Sequence, residues 1–469
     1  MALVQVLPIS LYVDEAQYWT WAQNLEFGYF SKPPMVAFLI FLSTQIWGNT
    51  LIGVKFLAML AYPLSALILF LIAKKLNFSN LMAFWCGILC LFLPIFSWLG
   101  LVVSTDAFLI LFWALSFYFF IQALENNSWQ NWLCLGLFLG LGLLTKYSMA
   151  IFIFSAFLYA LFFNKKILFS IQPYVALLFS FLIFFPNILW NIQNNFPTLK
   201  HTAEITIQKK AQGGIFTLLE FLFSQWFISG LILGSIFVFL ILNKHYWKNK
   251  IFQLLFLFAI PFWLVVALQA FLKQANANWA APAFLTMILS CVLFLENKKK
   301  WLYWALIVEL FISILAYSWE WILPNFTHNP KIIHAPFVRA QGWKELAKSL
   351  ENVLKKENTN ILIAENRTII AHLSYELRHL NLNIVSWNPN QTQKDYYQMK
   401  SNLENFKNQN VLFLSETPFD ENKIKNTAPY FKHFEKNSAL TVENHLDYPK
   451  RVLYIQKMYG FLGYSNFKQ

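Results

Sequence analysis

The chain has 469 residues, 58% of them hydrophobic and only 13% charged, with a mean hydropathy of +0.47. Soluble domains lie nearer half apolar, and a membrane span takes about 20 apolar residues, so a soluble globular protein is excluded and a polytopic α-helical membrane protein is expected. A net charge of +13 can signal nucleic acid, but most lysines of the membrane half end apolar runs, so the expected partner is the lipid bilayer and no nucleic acid.

The apolar runs that read as spans are 1–13 (incomplete), 51–73, 81–98, 104–124, 131–145, 148–163, 170–189, 215–242, 251–272, 278–295 and 301–322, about eleven in all. The segment from Ala2 to Val13 is too short to cross alone, and the expectation is that the chain begins further upstream. Pro34 to Trp47 reads as an amphipathic helix at the interface, with Pro33 and Pro34 suited to a helix start. The stretch 131–163 is too long for one helix and carries Lys146-Tyr147 at its middle, so it divides in two. Cys86, Cys90, Cys134 and Cys291 all fall inside apolar runs and read as small core residues rather than a disulfide or metal set.

Lysine placement sets the orientation. Lys74-Lys75, Lys165-Lys166, Lys244 with Lys248 and Lys250, and Lys298-Lys299-Lys300 fall in alternate loops, which are taken as cytoplasmic. The loops 14–50, 98–105, 146–147, 190–214 and 273–277 then face outward. Past residue 323 charge rises and long apolar runs vanish, giving a transmembrane domain over 1–323 and a small soluble α/β domain over 324–469 on the outer face. In that domain 361–364, 383–386 and 411–414 read as strands, and 343–355 and 368–378 as helices.

Asp14 and Asp106 are the only aspartates in the first 394 residues, and both fall on the outer side. Carboxylates beside a bilayer are costly and tend to be functional, although Asp14 and Glu15 read equally as solvated loop residues or a helix cap. Asp106 reads as a second acid, a sugar-hydroxyl acceptor, an ion-pair partner orienting Lys32, or an N-cap, a role Ser104 or Thr105 would fill as well. Arginine occurs only at 339, 367, 378 and 451, so any anion gripped by the membrane half must meet lysine, histidine, a metal or backbone N–H. Lys32, fixed by Pro33-Pro34, is the first choice; Lys146, Lys200, Lys209, Lys210 and Lys273 are also outward, and the last four read equally as snorkelling residues. His201 and Glu204 lie three apart but have no third ligand in sight, so no metal site is assigned. Glu309 and Glu320, eleven apart, fall on one face of a single helix and are assigned no chemistry. Trp190 and Trp279 read as interface belt and core.

The motifs in order resemble the bacterial members of glycosyltransferase family 39, which include protein mannosyltransferase relatives and the transferase that adds aminoarabinose to lipid A. These are Asp14-Glu15-Ala16 with Gly28-Tyr29-Phe30-Ser31-Lys32-Pro33-Pro34, Ser104-Thr105-Asp106-Ala107, and Gly140 to Tyr147 ending in Thr145-Lys146. Pro186 to Asn191 followed by His201 is similar to the family's third outer loop, and Asn276 to Pro282 to its Asn-Trp-Pro stretch. The resemblance implies a C-type glycosyltransferase fold and transfer of a sugar from a polyprenyl-phosphate donor to a hydroxyl acceptor on lipid A, a glycan or a protein. It implies Asp14 as general base with Glu15 and Asp106 in the catalytic set, and Lys32, Tyr29, Lys146, His201 and Asn278 on the substrates. It demands no cofactor beyond an optional divalent cation (Mg2+ or Mn2+), and places the protein in the bacterial inner membrane with its site facing the periplasm. A secondary transporter or lipid flippase is the alternative, but the chain shows no internal repeat and its acids gather at one surface.

Overall fold

The computed structural model describes residues 10–204, 213–334, 337–357, 359–435, 440–445 and 449–464. The first expected span, apart from its last residues, and Lys209 and Lys210 lie outside this set. Two compact units emerge. One joins the segment ending at Asn24 and residues Asn49–Ile52 to everything from Trp319 onward; the other comprises Leu25–Gly48 and Gly53–Ser318. The boundary expected at 323/324 thus falls at 318/319, and helix α1 (Val13–Gln23) groups with the tail, not with the spans.

The membrane unit is all helix: α2 (Met35–Trp47), α3 (Leu51–Lys75), α4 (Asn80–Phe92), α5 (Pro94–Leu99), α6 (Thr105–Asn126), α7 (Trp129–Leu143), α8 (Ala150–Phe163) and α9 (Gln172–Gln193). It continues with α10 (Pro197–Ala203), α11 (Ile215–Ile228), α12 (Ile232–Leu242), α13 (Lys250–Leu257), α14 (Ile260–Leu272), α15 (Ala283–Phe294) and α16 (Lys300–Tyr317). Among the described residues, 5 helical stretches are long and apolar enough to cross a bilayer, a sixth if the bent pair α11–α12 is one span. Five further apolar helices of 10–17 residues accompany them. Phe, Leu and Trp side chains face outward along these helices, as expected where lipid rather than water is the solvent. The protein is a multi-pass membrane protein.

Three runs differ from their sequence reading. The run 215–242 is not one straight span: α11 and α12 meet at 116° across Ser229–Leu231. The run 81–98 breaks at Leu93-Pro94, where proline opens α5, a first-turn position that its ring and missing N–H favour. Helix α16 stops at Tyr317, so Glu309 and Glu320 do not share a helix: Glu320 lies in a separate short turn, Trp319–Ile322. Glu309 is fully buried with neither carboxylate oxygen hydrogen-bonded among the described residues.

Helices α7 and α9 pack more closely than ordinary side chains allow. A Cβ on Gly136 would stand 2.5 Å from the carbonyl oxygen of Ala176, and one turn on Gly140 faces Ile183. Small residues four apart are how membrane helices bring their backbones together without a hydrophobic driving force. This contact fixes the C-terminal end of α7, and with it Thr145-Lys146.

The tail carries a six-stranded sheet of β1 (Ile361–Ala364), β2 (Asn383–Ser386), β3 (Val411–Ser415), β4 (Phe431–Phe434), β5 (Leu440–Glu443) and β6 (Val452–Phe461). The order is β2-β1-β3-β6-β4, with β5 also on β6; β2, β1 and β3 run parallel and β6 is antiparallel to its neighbours. Every residue of β1 and β3 is buried, as in parallel strands covered on both faces. One face gathers Ile361, Ile363, Val385, Phe413, Phe431 and Met458 against Trp387. Helices α17 (Trp343–Glu357) and α18 (Arg367–Glu376) bury Leu346, Leu350, Ile369 and Leu373. Helix α18 is the crossover between the parallel strands β1 and β2, and its N-cap is Asn366, whose side chain accepts the Ile369 N–H at 3.0 Å.

Candidate active site

In the membrane unit the geometry centres on Asp106, at the first turn of α6. The helix is capped by Ser104, whose hydroxyl accepts the Asp106 N–H at 3.2 Å, so the aspartate side chain is released from capping. Lys146 Nζ donates to its Oδ1 at 2.7 Å and Asn278 Nδ2 to its Oδ2 at 2.5 Å. Asp106 is 4% exposed and Lys146 17%. A carboxylate with both oxygens so engaged is an orienting group, not a free base. Of its three ammonium donors, Lys146 gives one to Asp106.

The loop between α1 and α2 is stitched down beside Lys146. Tyr147, its chain neighbour, donates its hydroxyl to Asn187 Oδ1 at 2.9 Å, and Asn187 Nδ2 donates to the Phe27 carbonyl at 2.7 Å. Trp190 Nε1 donates to Glu26 at 2.8 Å, and Met35 N–H to the Leu144 carbonyl at 3.0 Å. Gly28 is required here, since a Cβ would fall 2.4 Å from the Trp190 ring. Lys32, expected to grip an anion, is part-exposed in this loop, and its carbonyl accepts the Tyr29 N–H at 3.1 Å. Tyr29, expected on the substrate, is instead fully buried: its hydroxyl accepts the Glu26 N–H and its carbonyl the Thr198 hydroxyl. His201 packs on Phe30, ring centroids 5.1 Å apart. Among the described residues no group of three or more His, Cys, Asp or Glu could hold a metal ion, so His201 and Glu204 gain no third protein ligand there.

In the tail unit Asp14 and Glu15 part company. Glu15 is fully buried and accepts the Tyr12 N–H at 2.8 Å, closing the start of α1. Asp14 is 57% exposed, and its Oδ1 accepts from Arg367 Nη1 at 3.1 Å, the same guanidinium nitrogen reaching Gln17 Oε1 at 3.0 Å.

Three comparisons bear on this chain. The family model for dolichyl-phosphate-mannose-protein mannosyltransferases matches residues 31–190, the stretch that holds Lys32, Asp106 and Lys146. Lipid A galacturonosyltransferase RgtD of Rhizobium johnstonii is 28% identical over 419 residues, covering 87% of each chain. The crystal structure of apo ArnT from Cupriavidus metallidurans superposes with a TM-score of 0.67 at 13% identity, over 96% of this chain and 94% of that one. The same protein bound to undecaprenyl phosphate gives 0.66 at 14%, over 96% and 95%. The chain is a membrane glycosyltransferase, similar to those of family 39.

Of the predicted site residues, this glycosyltransferase brings Asp106, Lys146 and Asn278 into one hydrogen-bonded set. Sequence reasoning missed Arg367 beside Asp14 and the Tyr147–Asn187 tie; Pro186 to Asn191, expected in an outer loop, forms the last turns of α9. It also missed Lys55, a buried cation donating to the Leu101 carbonyl at 2.7 Å. The one available signal was the scarcity of arginine, which made each cation near a carboxylate worth counting.

Proposed function

We propose that the protein transfers a sugar from a polyprenyl-phosphate donor to a hydroxyl of a lipid acceptor of the lipid A type, at the periplasmic face of a bacterial inner membrane. The observation that carries this reading is Lys146 at the outer end of α7, held by Asp106, whose other carboxylate oxygen is fixed by Asn278. It is a pre-oriented cation with donors to spare, as a departing phosphate requires. The relatives support the two ends of the reaction: one acts on lipid A, and the fold neighbour binds undecaprenyl phosphate.

The acceptor oxygen attacks the anomeric carbon, its proton passes to the Asp14 carboxylate, and the bond from that carbon to the phosphate oxygen breaks. The polyprenyl phosphate leaves with the electron pair and needs charge stabilisation, not a proton. A single displacement of this kind inverts the anomeric centre. Arg367 orients the Asp14 carboxylate, while Glu15 holds the helix start.

The test is transfer of radiolabel from a panel of polyprenyl-phosphate sugars in membranes carrying the protein, with Asp14→Asn in parallel. Label leaving the carrier in wild type alone supports the reading, and the labelled product names the acceptor. No transfer from any donor, with the protein folded, refutes it and moves the question to lipid transport.

A further inference from the structure

The tail unit contains a second feature that the transfer chemistry does not use: an open groove of about 510 Å3 lined by residues of α1, α18, β2 and the segment 396–406. Its volume lies within the range of small-molecule sites. Two cations, Arg378 and Lys400, line it together with four amide side chains, Asn24, Asn383, Asn402 and Asn405, and none of the described lining residues is acidic. Trp19, with its indole N–H given to Asn49 at 2.8 Å, forms part of one wall, and Tyr397 another, its hydroxyl within 3.2 Å of Thr20. The Arg378 guanidinium lies 4.3 Å over the Tyr375 ring and gives Nη1 to the Tyr375 carbonyl, which holds it in place while other N–H donors stay available.

Amides for hydroxyls, flat aromatic walls and two cations, with no carboxylate among the described lining residues, are the lining of a site for a sugar that carries an anionic group. The groove is also built on the two helices that hold Asp14. Helix α1 bears Asp14 in its first turn and Trp19 and Thr20 five and six residues on, roughly 8–9 Å along the axis. Helix α18 bears Arg367, which binds Asp14, and Ile370 and Ser374 of the groove on the same face at i+3 and i+7.

We propose that this groove binds the anionic saccharide headgroup of the acceptor and so sets which of its hydroxyls reaches Asp14. The inference rests on the transferase reading above. Isothermal titration of the full chain in detergent micelles with a soluble, deacylated, phosphorylated glucosamine disaccharide tests it without donor or turnover. Wild type binds the phosphorylated disaccharide, and the dephosphorylated form binds at least tenfold more weakly. Lys400→Ala, an exposed position that leaves the Arg378–Tyr375 stack intact, weakens binding about tenfold, and R378A/K400A weakens it further. In transfer assays K400A raises the acceptor KM and leaves the donor KM unchanged.

Equal binding of the two disaccharides, or equal binding by wild type and the double variant, overturns the proposal. So does binding of free galacturonate in place of the disaccharide, which would move the groove from acceptor to donor sugar. A wild-type protein that binds the disaccharide but moves no label from any donor supports the groove and refutes the transferase reading, so the two failures are distinguishable.

Discussion

Replacing Lys146 by methionine separates the structural role of the Asp106–Lys146 pair from its chemical one. The substitution leaves Asp106, 4% exposed, with Asn278 as the remaining partner of this set. Removing one member of a buried pair costs about 3–5 kcal/mol, and the 17% exposure of Lys146 puts this pair at the lower end. Asp106→Asn costs less, about 1–3 kcal/mol, because the lysine left behind retains a path to water. The double variant D106N/K146M contains neither charge and should melt close to wild type. Turnover follows a different rule: every variant without Lys146 loses a cation at the departing phosphate, a fall of about 10²–10³-fold. The assay pairs thermal unfolding in detergent with label transfer from a polyprenyl-phosphate sugar. The double variant is the decisive sample, expected to be stable and slow. If it turns over like wild type, Lys146 has no part in the chemistry; if it is as unstable as K146M, the pairing argument is wrong.

Asp14→Asn should reduce transfer by about 10²–10⁴-fold with little change in melting, since a pair 57% exposed on the aspartate side contributes at most about 1 kcal/mol; wild-type turnover in this variant refutes the base assignment. Gly136→Ala forces a methyl against the Ala176 carbonyl and should destabilise the membrane unit by about 1–3 kcal/mol, read as a lower melting temperature; an unchanged melt would show that α7 and α9 can separate. His372 is fully buried, stacked on Trp343 with centroids 4.1 Å apart, and neither ring nitrogen has a partner among the described residues. Burial, and after it the Arg451 charge, hold its pKa well below the ordinary 6.5. The unfolded chain therefore binds the proton first: this contribution to stability is whole above about pH 6.5 and is lost as pH falls below it toward the folded value, by up to about 1.4 kcal/mol per pH unit. His372→Phe keeps the stack and should flatten that part of the tail unit's acid dependence; an identical slope in both proteins would exclude His372 as its source.

What the sequence disclosed depended on whether a signal was local. The strands 361–364 and 383–386 appear at those residues and the third extends by one to Ser415, because short runs rich in branched apolar residues between polar turns favour strands. The spans 51–73, 104–124 and 170–189 appear as α3, α6 and α9, because apolar length is read directly. The break in 215–242 was hidden, since Ser229 and Gly230 are tolerated within membrane helices and only tertiary packing decides whether they bend. Strand β6, with Gln456 and Lys457 amid its apolar residues, was obscured by its polar half. Asp106, Lys146 and Asn278 were each visible, but their meeting was not, for 40 and 172 positions separate the aspartate from its partners. Arg367 was missed for the same reason: it stands 353 positions from Asp14.

The grouping of α1 with the tail also orders events in time. Helix α1 emerges early from the ribosome, but Arg367, Tyr375 and Tyr397, which hold Asp14, Trp19 and Thr20, are made after residues 25–318. At roughly 5–20 residues per second this interval is on the order of 15–60 s, and over it the carboxylate waits without its arginine. A chain stopped between residues 318 and 367 would carry these spans and never acquire that arginine. The Asp14–Arg367 pair is therefore completed late, only when residues from the last third of this sequence meet helix α1.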